Sequence, residues 1–331
     1  MLLRLLATSL LILMVLAGCV GYLMIAPPSG GPRTVTIPPD VGPDEIAVLL
    51  ADARIIATPA AYSIAANLMK RSPKPGRYVF SAGVYPWVAV RILSKGPPPE
   101  LELTVTVPEG KRLEEIATIL DAAGITNERE FLRGARDRAF IRELIGSDQD
   151  SLEGYLFPDT YKFKPNSDVL SVIRRMHQRF TEQSSGLANP RLSMHEFVTL
   201  ASIVEREARV PQERPRIAAV YLNRLRIGMK LDADPTVRYA VNKWDTTPVL
   251  YVDLESRSPY NTYRVPGLPP GPICSPGRAS LDAVAHPLES RELFFVAQGD
   301  GSHIFSESFR DHLAHVAAVR RTAAREAHER R

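Results

Sequence analysis

An internal repeat constrains the fold of this chain more than any other feature of its sequence. Thr34–Pro38 (TVTIP) recurs as Thr104–Pro108 (TVTVP), and Asp44–Leu50 (DEIAVLL) recurs as Glu114–Leu120 (EEIATIL), both offset by 70 positions. The first segment of each pair alternates polar and apolar residues up to a proline, which predicts a short strand. The second has the spacing of an amphipathic helix. The repeat therefore predicts two copies of one small α+β module.

A second similarity completes the module. Gly76–Phe80 (GRYVF) resembles Asp159–Phe163 (DTYKF), and both segments are predicted to be strands that lead into helices. Their offset is 83 positions, so the second copy contains an insertion, which we place around residues 126–150. The predicted order in each copy is strand, helix, helix, strand and helix. We predict that the two modules occupy residues 34–100 and 101–185.

Residues 186–331 are predicted to form a third domain around one apolar helix. Ser193 and Glu196 have the spacing of a capping box, which marks the start of a helix. Two carboxylates, Glu205 and Glu207, lie at its far end. Acidic residues at a helix end are usually structural, but an apolar helix can also present a general acid at a cleft. The apolar residues that share one face of this helix are Phe197, Leu200, Ala201, Val204 and Ala208.

The sequence neighbours of the two carboxylates distinguish them. Glu205 has Arg209 four residues later, in the favourable order for a surface ion pair, and such a pair lowers the pKa of a carboxyl. Glu207 has apolar neighbours one turn away, and apolar surroundings raise the pKa of a carboxyl toward the range of a general acid. The residues alone therefore favour Glu207 as the catalytic acid. Glu205 and Asp159 are secondary acid candidates.

A second apolar helix after Pro215 and the segment that follows it supply candidates for substrate binding. Asn223 and Arg224 lie on this helix, shortly after the two carboxylates. For Arg224 this position fits either a groove contact or a surface ion pair. Asp234 followed by Pro235 is typical of a helix start, so Asp234 has a structural interpretation as an N-cap beside its interpretation as a substrate contact.

The segment 258–277 is a long predicted loop, rich in proline and in aromatic and amide side chains. Such a loop is suited to line a groove where sugar rings stack, although it also fits a loop that only supports the core. Residues 293–305 predict a β-hairpin across a Gly-Asp-Gly turn, with His303 at its mouth as a further substrate-binding candidate. The candidates in the loop itself are Tyr260, Asn261 and Tyr263.

Residues 1–26 predict a membrane anchor. Leu5–Ile25 is uncharged and strongly apolar, and it is long enough to cross a bilayer as a helix. Arg4 precedes this run, which favours a cytoplasmic N-terminus and an exported chain body. Leu16–Cys19 (LAGC) also resembles a lipobox, and cleavage before its cysteine would give a lipoprotein instead. Because the apolar run continues past that cysteine, the sequence favours a single-pass anchor, followed by a linker at 27–33.

The composition argues against several classes of function. The formal net charge is only +4, and no stripe of Lys and Arg with interleaved aromatic residues is present, so nucleic acid is not a predicted partner. The two cysteines, Cys19 and Cys274, give neither a disulfide framework nor the spacing of a zinc site. His312 and His315 share a predicted helix face without a third ligand, so we predict that they are solvated. Neither a metal site nor a cofactor is predicted.

Nine short segments, distributed in order over most of the chain, share a further similarity. They are 153–161 (EGYLFPDTY), 200–208 (LASIVEREA), 220–229 (VYLNRLRIGM), 234–236 (DPT), 258–263 (SPYNTY), 267–273 (GLPPGPI), 275–277 (SPG), 285–287 (AHP) and 294–305 (FFVAQGDGSHIF). Together these segments resemble the endolytic murein transglycosylases, the YceG-like family of bacterial cell-wall lyases. In that family the second Glu of the Glu-x-Glu pair is catalytic, and this position corresponds to Glu207. The family usually has Thr at the next position, where this chain has Ala208.

The resemblance implies an α+β protein with a transmembrane helix, a LysM-like α+β repeat region and a mixed α+β catalytic domain. It implies a peptidoglycan lytic transglycosylase that cleaves the bond between N-acetylmuramic acid and N-acetylglucosamine in nascent glycan strands. One Glu would act as general acid and then as general base, leaving 1,6-anhydro-muramyl ends without consuming water or a metal. The resemblance further implies a location at the inner membrane, with peptidoglycan synthases or divisome proteins as partners.

Two alternatives stay open at this point. One is a non-enzymatic, membrane-tethered scaffold that binds peptidoglycan, and the other is a muramidase that uses two carboxylates. The LysM-like module at 34–100 fits a spacer domain without a ligand as well as it fits a glycan-binding domain. Trp87 in this module fits a sugar contact, although a position in a helix after Pro86 is more typical of a core residue.

Overall fold

The computed structural model describes residues 14, 18, 21, 22, 24–98, 101–244 and 249–329. Its fold is mixed α+β, as the sequence predicts, and the chain divides into two compact units, residues 1–100 and 101–331. Most of the expected membrane helix, including Cys19, lies outside the described residues. Within the described part, no helix combines the length and the apolar character needed to span a bilayer.

In its described residues after residue 26, the first unit consists of a two-stranded antiparallel sheet and three helices. Two of the helices lie between the strands in the sequence, and the third follows the second strand. Its elements are β1 (Arg33–Ile37), α1 (Pro43–Asp52), α2 (Pro59–Met69), β2 (Gly76–Phe80) and α3 (Pro86–Lys95). Val35 of β1 lies opposite Tyr78 of β2, and both side chains are buried. They belong to an apolar core that also contains Leu50 of α1 and Leu93 of α3.

The N-terminal part of the second unit repeats this arrangement. Val105 lies opposite Tyr161 in its strand pair. By the sequence offsets of 70 and 83, Val105 corresponds to Val35 and Tyr161 corresponds to Tyr78, which lie opposite each other in the first unit. The internal repeat is therefore confirmed in element order and in strand register, and α6 is the extra element of the expected insertion. The elements are β3 (Leu103–Thr106), α4 (Leu113–Ala122), α5 (Glu128–Gly134), α6 (Arg138–Ile145), β4 (Thr160–Phe163) and α7 (Val169–Ser184).

The remaining elements of the second unit are α8 (Met194–Glu207), α9 (Arg214–Arg226), α10 (Asp234–Ala240), α11 (Arg278–Ala285), β5 (Phe294–Ala297), β6 (His303–Ser306) and α12 (Phe309–Glu329). Strands β5 and β6 pair antiparallel, which confirms the predicted hairpin. Buried apolar residues from Val105 in β3 to Phe305 in β6 form one cluster. The domain boundary expected at residue 185 stays a prediction, and this core extends across it.

Helix α8 runs through this core. Its start is the predicted capping box, because Glu196 N–H donates to Ser193 Oγ at 3.3 Å and Ser193 N–H donates to the Glu196 carboxylate at 2.8 Å. Residues 197–204 are all buried, as expected for a helix that other elements enclose. The helix ends at Glu207, and Ala208 has extended backbone angles. The chain therefore leaves the helix directly after the second carboxylate.

Candidate active site

Glu207, the predicted catalytic acid, lies where α8 leaves the core. The hydroxyl of Tyr221 on α9 donates a hydrogen bond to Glu207 Oε1 at 3.2 Å. Burial raises the pKa of Glu207 to about 7, and the negative charge of Asp234 contributes to this rise. The hydrogen bond from Tyr221 and the positive charges of Arg224 and Arg209 oppose it. A carboxyl with this pKa is partly protonated near neutral pH, so it can both donate and accept a proton.

Tyr221 is held rigidly beside this carboxyl. Its side chain is fully buried, and its ring meets the ring of Phe295 on β5 edge to face, with centroids 5.8 Å apart. Burial, followed by the negative charge of Glu207, raises the pKa of the Tyr221 hydroxyl well above its usual value. The hydroxyl therefore stays protonated and remains a hydrogen-bond donor to Glu207.

Asp234 and Tyr263 also lie near Glu207. The Tyr263 hydroxyl donates to Asp234 Oδ1 at 2.7 Å. Burial raises the pKa of Tyr263 above its usual range, and the carboxylates of Asp234 and Glu207 add to the effect. The predicted N-cap position of Asp234 is wrong by one residue, because Ala233 is the N-cap of α10 and Asp234 is its first helical residue. Its carboxylate therefore binds Tyr263 instead of capping the helix.

Arg224 is buried, so its interpretation as a surface ion pair is wrong. Its Nε donates to the carbonyl of Leu293 and its Nη1 donates to the carbonyl of Leu231, both at 2.6 Å. The carboxylate of Asp232 lies 3.7 Å away. Arg224 thus joins the segment before α10 to the start of β5. Its groove contact stays a prediction.

Asn223, Asn261 and His303 use polar atoms to hold loops in place. Asn223 Nδ2 donates to the carbonyl of Ser290 at 2.9 Å. Asn261 is fully buried and donates to two backbone carbonyls at 2.9 and 2.8 Å. His303 Nδ1 donates to the carboxylate of Glu213 at 2.6 Å. The hydrogen bonds of these three side chains do not involve Glu207, and their substrate-binding roles stay predictions.

Tyr260 belongs to an aromatic cluster that the sequence analysis missed. Its ring lies against Tyr239 with centroids 4.7 Å apart, and Tyr239 meets Trp244 edge to face at 6.1 Å. The guanidinium groups of Arg112 and Arg206 lie 5.0 and 4.5 Å from the centroid of the Trp244 ring. Because Arg206 is in the last turn of α8, the cluster borders the same end of this helix. The available signal was the aromatic pair in and just after α10.

Glu205 contradicts the prediction of a surface ion pair with Arg209. Its side chain is only 7% exposed, and its carboxylate accepts hydrogen bonds from Ser280 Oγ at 2.7 Å and from Gly277 N–H at 3.0 Å. The guanidinium of Arg214 lies 3.5 Å away. The reason is tertiary packing, since the N-terminus of α11 lies against α8 and supplies these donors. Glu205 therefore anchors two helices to each other.

Asp159, the other secondary acid candidate, forms an ion pair with Arg179 at 2.7 Å. Partial burial works to raise the pKa of Asp159, but hydrogen bonds from Arg179 and from Thr160 N–H outweigh it, and the pKa lies below its usual value. A carboxylate that is ionised at neutral pH has no proton to donate to a leaving group. This placement does not favour Asp159 as a general acid.

Several hydrogen bonds tie the loop at 258–277 to α8. His195 Nε2 donates to the carbonyl of Pro270 at 2.7 Å, and Ile273 N–H donates to Ser202 Oγ at 3.0 Å. The C-terminal part of the loop is buried. This part supports the core, as the alternative interpretation of the loop predicts, and the sequence analysis missed the positioning role of His195.

Glu153 is a further buried acid that the sequence analysis did not single out. Its carboxyl accepts the Leu113 N–H, at 3.2 Å to each oxygen, at the start of α4. Burial raises the pKa of Glu153 to about 8, and the hydrogen bond from Leu113 partly opposes this rise. Glu153 is therefore mostly protonated at neutral pH. The signal in the sequence was its place at the start of the segment 153–161.

The described residues contain no group of three or more His, Cys, Asp or Glu side chains that could hold a metal ion. His312 and His315, which were predicted to be solvated, are half-buried and also contact the protein. His312 stacks on Phe294 with centroids 5.3 Å apart, and His315 Nδ1 lies 2.9 Å from Ser306 Oγ. Both histidines help to hold α12 against the β5–β6 hairpin.

The chain is similar to known proteins over most of its length. Residues 35–318 match the sequence profile of the YceG-like family. An endolytic murein transglycosylase from Bacillus subtilis is 35% identical over 226 residues, which cover 63% of this chain and 62% of that protein. An endolytic murein transglycosylase from Streptococcus pneumoniae is 29% identical over 317 residues, covering 86% of this chain and 58% of that protein. The chain thus spans less than two thirds of the length of either relative.

A crystal structure of a YceG-like protein from Listeria monocytogenes has a similar fold. The two structures superpose with a TM-score of 0.58 and 30% sequence identity. The superposition covers 87% of this chain and 99% of the Listeria chain. The similarity therefore concerns both the sequence and the fold, over nearly the whole length of the solved structure.

Proposed function

The chain belongs to the YceG-like family, and from this membership and the surroundings of Glu207 we propose that it is an endolytic peptidoglycan lytic transglycosylase. The observation that carries the proposal is the carboxyl of Glu207. It ends a buried helix, has a pKa of about 7 and receives a hydrogen bond from Tyr221. One carboxyl with these properties suits a reaction in which the same group donates and later accepts a proton.

In the proposed reaction, Glu207 first protonates the oxygen that joins N-acetylmuramic acid to N-acetylglucosamine. The C1–O bond then breaks, positive charge of oxocarbenium type develops on the muramyl ring, and the N-acetylglucosamine hydroxyl leaves. The muramyl C6 hydroxyl attacks C1 and gives its proton to the ionised Glu207. A C1–O6 bond replaces the broken bond, the product carries a 1,6-anhydro end, and Glu207 has recovered its proton. No water is consumed.

The two polar neighbours of Glu207 support opposite halves of this reaction. The negative charge of Asp234 disfavours the ionised form of Glu207 and so retains the proton before bond cleavage. The Tyr221 hydroxyl stabilises the ionised form that must accept the proton from C6. Together with burial they give a pKa close to neutral pH, where donation and acceptance are similarly favourable.

We assign the glycan-binding groove to the surfaces next to this carboxyl. The Asp234–Tyr263 pair supplies polar groups for sugar hydroxyls. Aromatic faces stack on sugar rings, and guanidinium groups attract the lactyl and peptide carboxylates of peptidoglycan. The side chains with these properties beside the end of α8 are Tyr239, Tyr260, Trp244, Arg112 and Arg206.

The position of Asp234 supports one alternative, a muramidase with two carboxylates. In that enzyme Asp234 would activate a water molecule or attack C1, and the product would carry a reducing end. The acids suggested by the sequence fit this second role less well, because Glu205 is bound by Ser280 and Asp159 is bound by Arg179. Membership of the YceG-like family favours the transglycosylase.

Product analysis decides between these reactions. The purified protein is incubated with uncross-linked glycan strands in isotopically labelled water, and the released muropeptides are identified by mass spectrometry. The proposal expects internal cuts with 1,6-anhydro ends and no label from water. Labelled reducing ends would establish the muramidase. A folded protein that binds glycan but releases no product would establish the scaffold.

We further propose that residues 1–26 anchor the chain in the inner membrane with its body outside the cytoplasm, and that residues 34–100 form a LysM-like glycan-binding module. The uncharged run Leu5–Ile25 behind Arg4 supports the anchor. The strand pair β1–β2 with two intervening helices supports the module.

Peptidoglycan synthases or divisome proteins are proposed partners, because nascent glycan is made beside the membrane. Flotation of the full chain with lipid vesicles tests the anchor.

A further inference from the structure

Helix α2 of the first unit has apolar side chains on one exposed face as well as on its buried face, and its polar residues, Ser63 and Asn67, do not line the exposed apolar face. Its sequence, PAAYSIAANLM, contains no charged residue. Tyr62 and Ala66 are buried, whereas Ile64 and Leu68 are 61% and 78% exposed. A helix at a protein–water surface normally carries polar residues on its outer face. The exposed face of α2 that carries Ile64 and Leu68 therefore lacks the composition of a surface that faces water.

This outer face forms part of an apolar groove with a volume of about 410 Å³. The groove is also lined by Met69 at the end of α2, by Trp87 on α3, and by Met24 and Ile25 of the N-terminal segment. No lining residue is charged, and Thr58 is the only one with a hydroxyl. That hydroxyl donates to the carbonyl of Met24 at 3.1 Å. The groove thus offers an almost purely apolar surface.

The groove begins where the proposed anchor ends. Met24 and Ile25, which line it, are the last residues of the apolar run Leu5–Ile25. If this run crosses a bilayer, its end lies at the boundary between acyl chains and headgroups. Side chains that share a groove with Ile25 then lie at the same depth. This continuity identifies which surface of the first unit the bilayer can reach.

We propose that the outer face of α2, together with Trp87, is buried in the interfacial region of the lipid bilayer beside the anchor. Trp87 is 40% exposed and stacks on Tyr85 with ring centroids 4.7 Å apart, so its expected core position is wrong. Trp and Tyr are enriched at the membrane–water interface. Lys70 and Arg71 directly follow α2, where basic side chains can reach lipid phosphates. The inference rests on the proposed anchor and not on the proposed catalysis.

The chemistry of the groove favours acyl chains over a glycan. Sugar sites combine an aromatic ring with polar groups that bind the sugar hydroxyls. Here the hydroxyl of Thr58 already binds a backbone carbonyl. Burial of Ile64 and Leu68 in lipid removes a large apolar surface from water, and that transfer is favourable. Contact with the bilayer therefore explains both the exposure and the composition of this face.

Quenching of Trp87 fluorescence by brominated lipids tests the inference. The full-length protein is reconstituted into vesicles of phosphatidylcholine and phosphatidylglycerol with bromine either near the headgroup or near the end of the acyl chain. The chain has two tryptophans, so Trp87→Phe is measured in parallel to subtract the emission of Trp244. An interfacial helix lies about 5–10 Å into the headgroup–acyl boundary. We therefore expect the shallow bromine to quench Trp87 more strongly than the deep bromine.

A matched pair of variants locates the contact. Leu68→Glu introduces a charge into the groove, and we expect loss of most of the quenching of Trp87. Val79→Glu introduces the same charge at a site that is 60% exposed on β2 and does not line the groove. This control is expected to keep the quenching of the unmodified protein. Thermal unfolding of both variants confirms that the first unit stays folded.

Flotation in a density gradient accompanies each measurement and separates the outcomes. Vesicle-bound protein with unquenched Trp87 would overturn the inference and leave the anchor in place. Protein that does not float would overturn the anchor and the inference together, while product analysis still decides the enzymatic proposal. If brominated lipids have no effect but purified glycan strands change the emission of Trp87, the groove is a sugar site and the inference is wrong.

Discussion

The two sides of the last turn of α8 carry the same type of side chain in opposite situations. Glu205 faces α11, where Ser280 Oγ and Gly277 N–H donate to its carboxylate. Glu207 is two residues further along, which corresponds to a rotation of about 200° around the helix axis. It faces α9 instead, where Tyr221 donates one hydrogen bond at 3.2 Å. One side of the turn holds the fold together, and the other offers a titratable carboxyl.

Burial alone therefore does not make a carboxyl a catalytic acid. Glu205 has two hydrogen-bond donors and the guanidinium of Arg214 at 3.5 Å. Among the described residues, Tyr221 is the one hydrogen-bond donor to Glu207, and the negative charge of Asp234 acts more strongly on its pKa than the positive charge of either Arg224 or Arg209. Several hydrogen-bond donors and a guanidinium in contact hold a carboxylate in a fixed structural role, whereas burial with few donors keeps a proton available. The set of partners decides the role.

The largest expected effect is that of Glu207→Gln. Glutamine keeps the shape of the side chain but has no transferable proton. General acid–base catalysis contributes about 10²–10⁴-fold, and since one residue performs both transfers, we expect a loss at or beyond the upper end of this range. The measurement is the rate of anhydro-muropeptide release from uncross-linked glycan per folded molecule. Full activity in this variant would show that this helix end is not the active site.

The matched substitution on the other side of the turn, Glu205→Gln, should act on stability. It replaces the carboxylate acceptor of Ser280 and Gly277 with an amide and removes the carboxylate next to Arg214, which keeps its hydrogen bond to Ser280 Oγ. We therefore expect a loss of about 1–3 kcal/mol in the free energy of unfolding. This exceeds what a surface ion pair would contribute. Urea denaturation measures the loss, and activity per folded molecule should persist. A stable but inactive Glu205→Gln would reverse the assignment of the two acids.

The smallest effects, and the most specific, concern the two neighbours of Glu207. Tyr221→Phe removes a hydrogen bond that lowers the pKa of Glu207, and Asp234→Asn removes a charge that raises it. The alkaline limb of the kcat/KM profile, which reports loss of the acid, should move to higher pH in the first variant and to lower pH in the second. Each variant should keep activity within about tenfold, since one hydrogen bond contributes about 0.5–1.5 kcal/mol.

If Tyr221→Phe and Asp234→Asn moved the alkaline limb in the same direction, the electrostatic account of Glu207 would be contradicted. Complete inactivity of folded Asp234→Asn would favour the muramidase with two carboxylates. Tyr263→Phe is a matched control for this variant, because it removes the hydrogen bond to Asp234 but leaves the negative charge in place. It should therefore move the pH profile less than Asp234→Asn.

The features that depend on neighbouring residues could be predicted from the sequence. The capping box of Ser193 and Glu196 needs only a spacing of three residues. The strands that contain Val35 and Val105 follow from the alternation of polar and apolar residues over five positions. The raised pKa of Glu207 agrees with its apolar neighbours one turn away. These patterns are local, so the sequence contains most of the information that they need.

Partners that come from distant segments could not be predicted in this way. Arg209 is four residues from Glu205, but the donor that reaches its carboxylate, Ser280, is 75 residues away. The sequence around Arg224 also fits a surface ion pair, yet the carbonyl of Leu293 that accepts its hydrogen bond is 69 residues away. A local sequence pattern cannot show whether a side chain binds a partner nearby in the sequence or one from a distant segment. The distant contact depends on how α11 and β5 pack.

The shared register of the two strand pairs also creates a hazard while the chain folds. β1 and β3 have nearly the same sequence, so β1 could pair with β4 and β3 with β2, which is an internal exchange of strands. Synthesis from the N-terminus avoids this competition, because β1 and β2 are complete before β4 leaves the ribosome. The first unit has its own apolar core and can close around them at that stage. Refolding from denaturant has no such order, since all four strands compete at once.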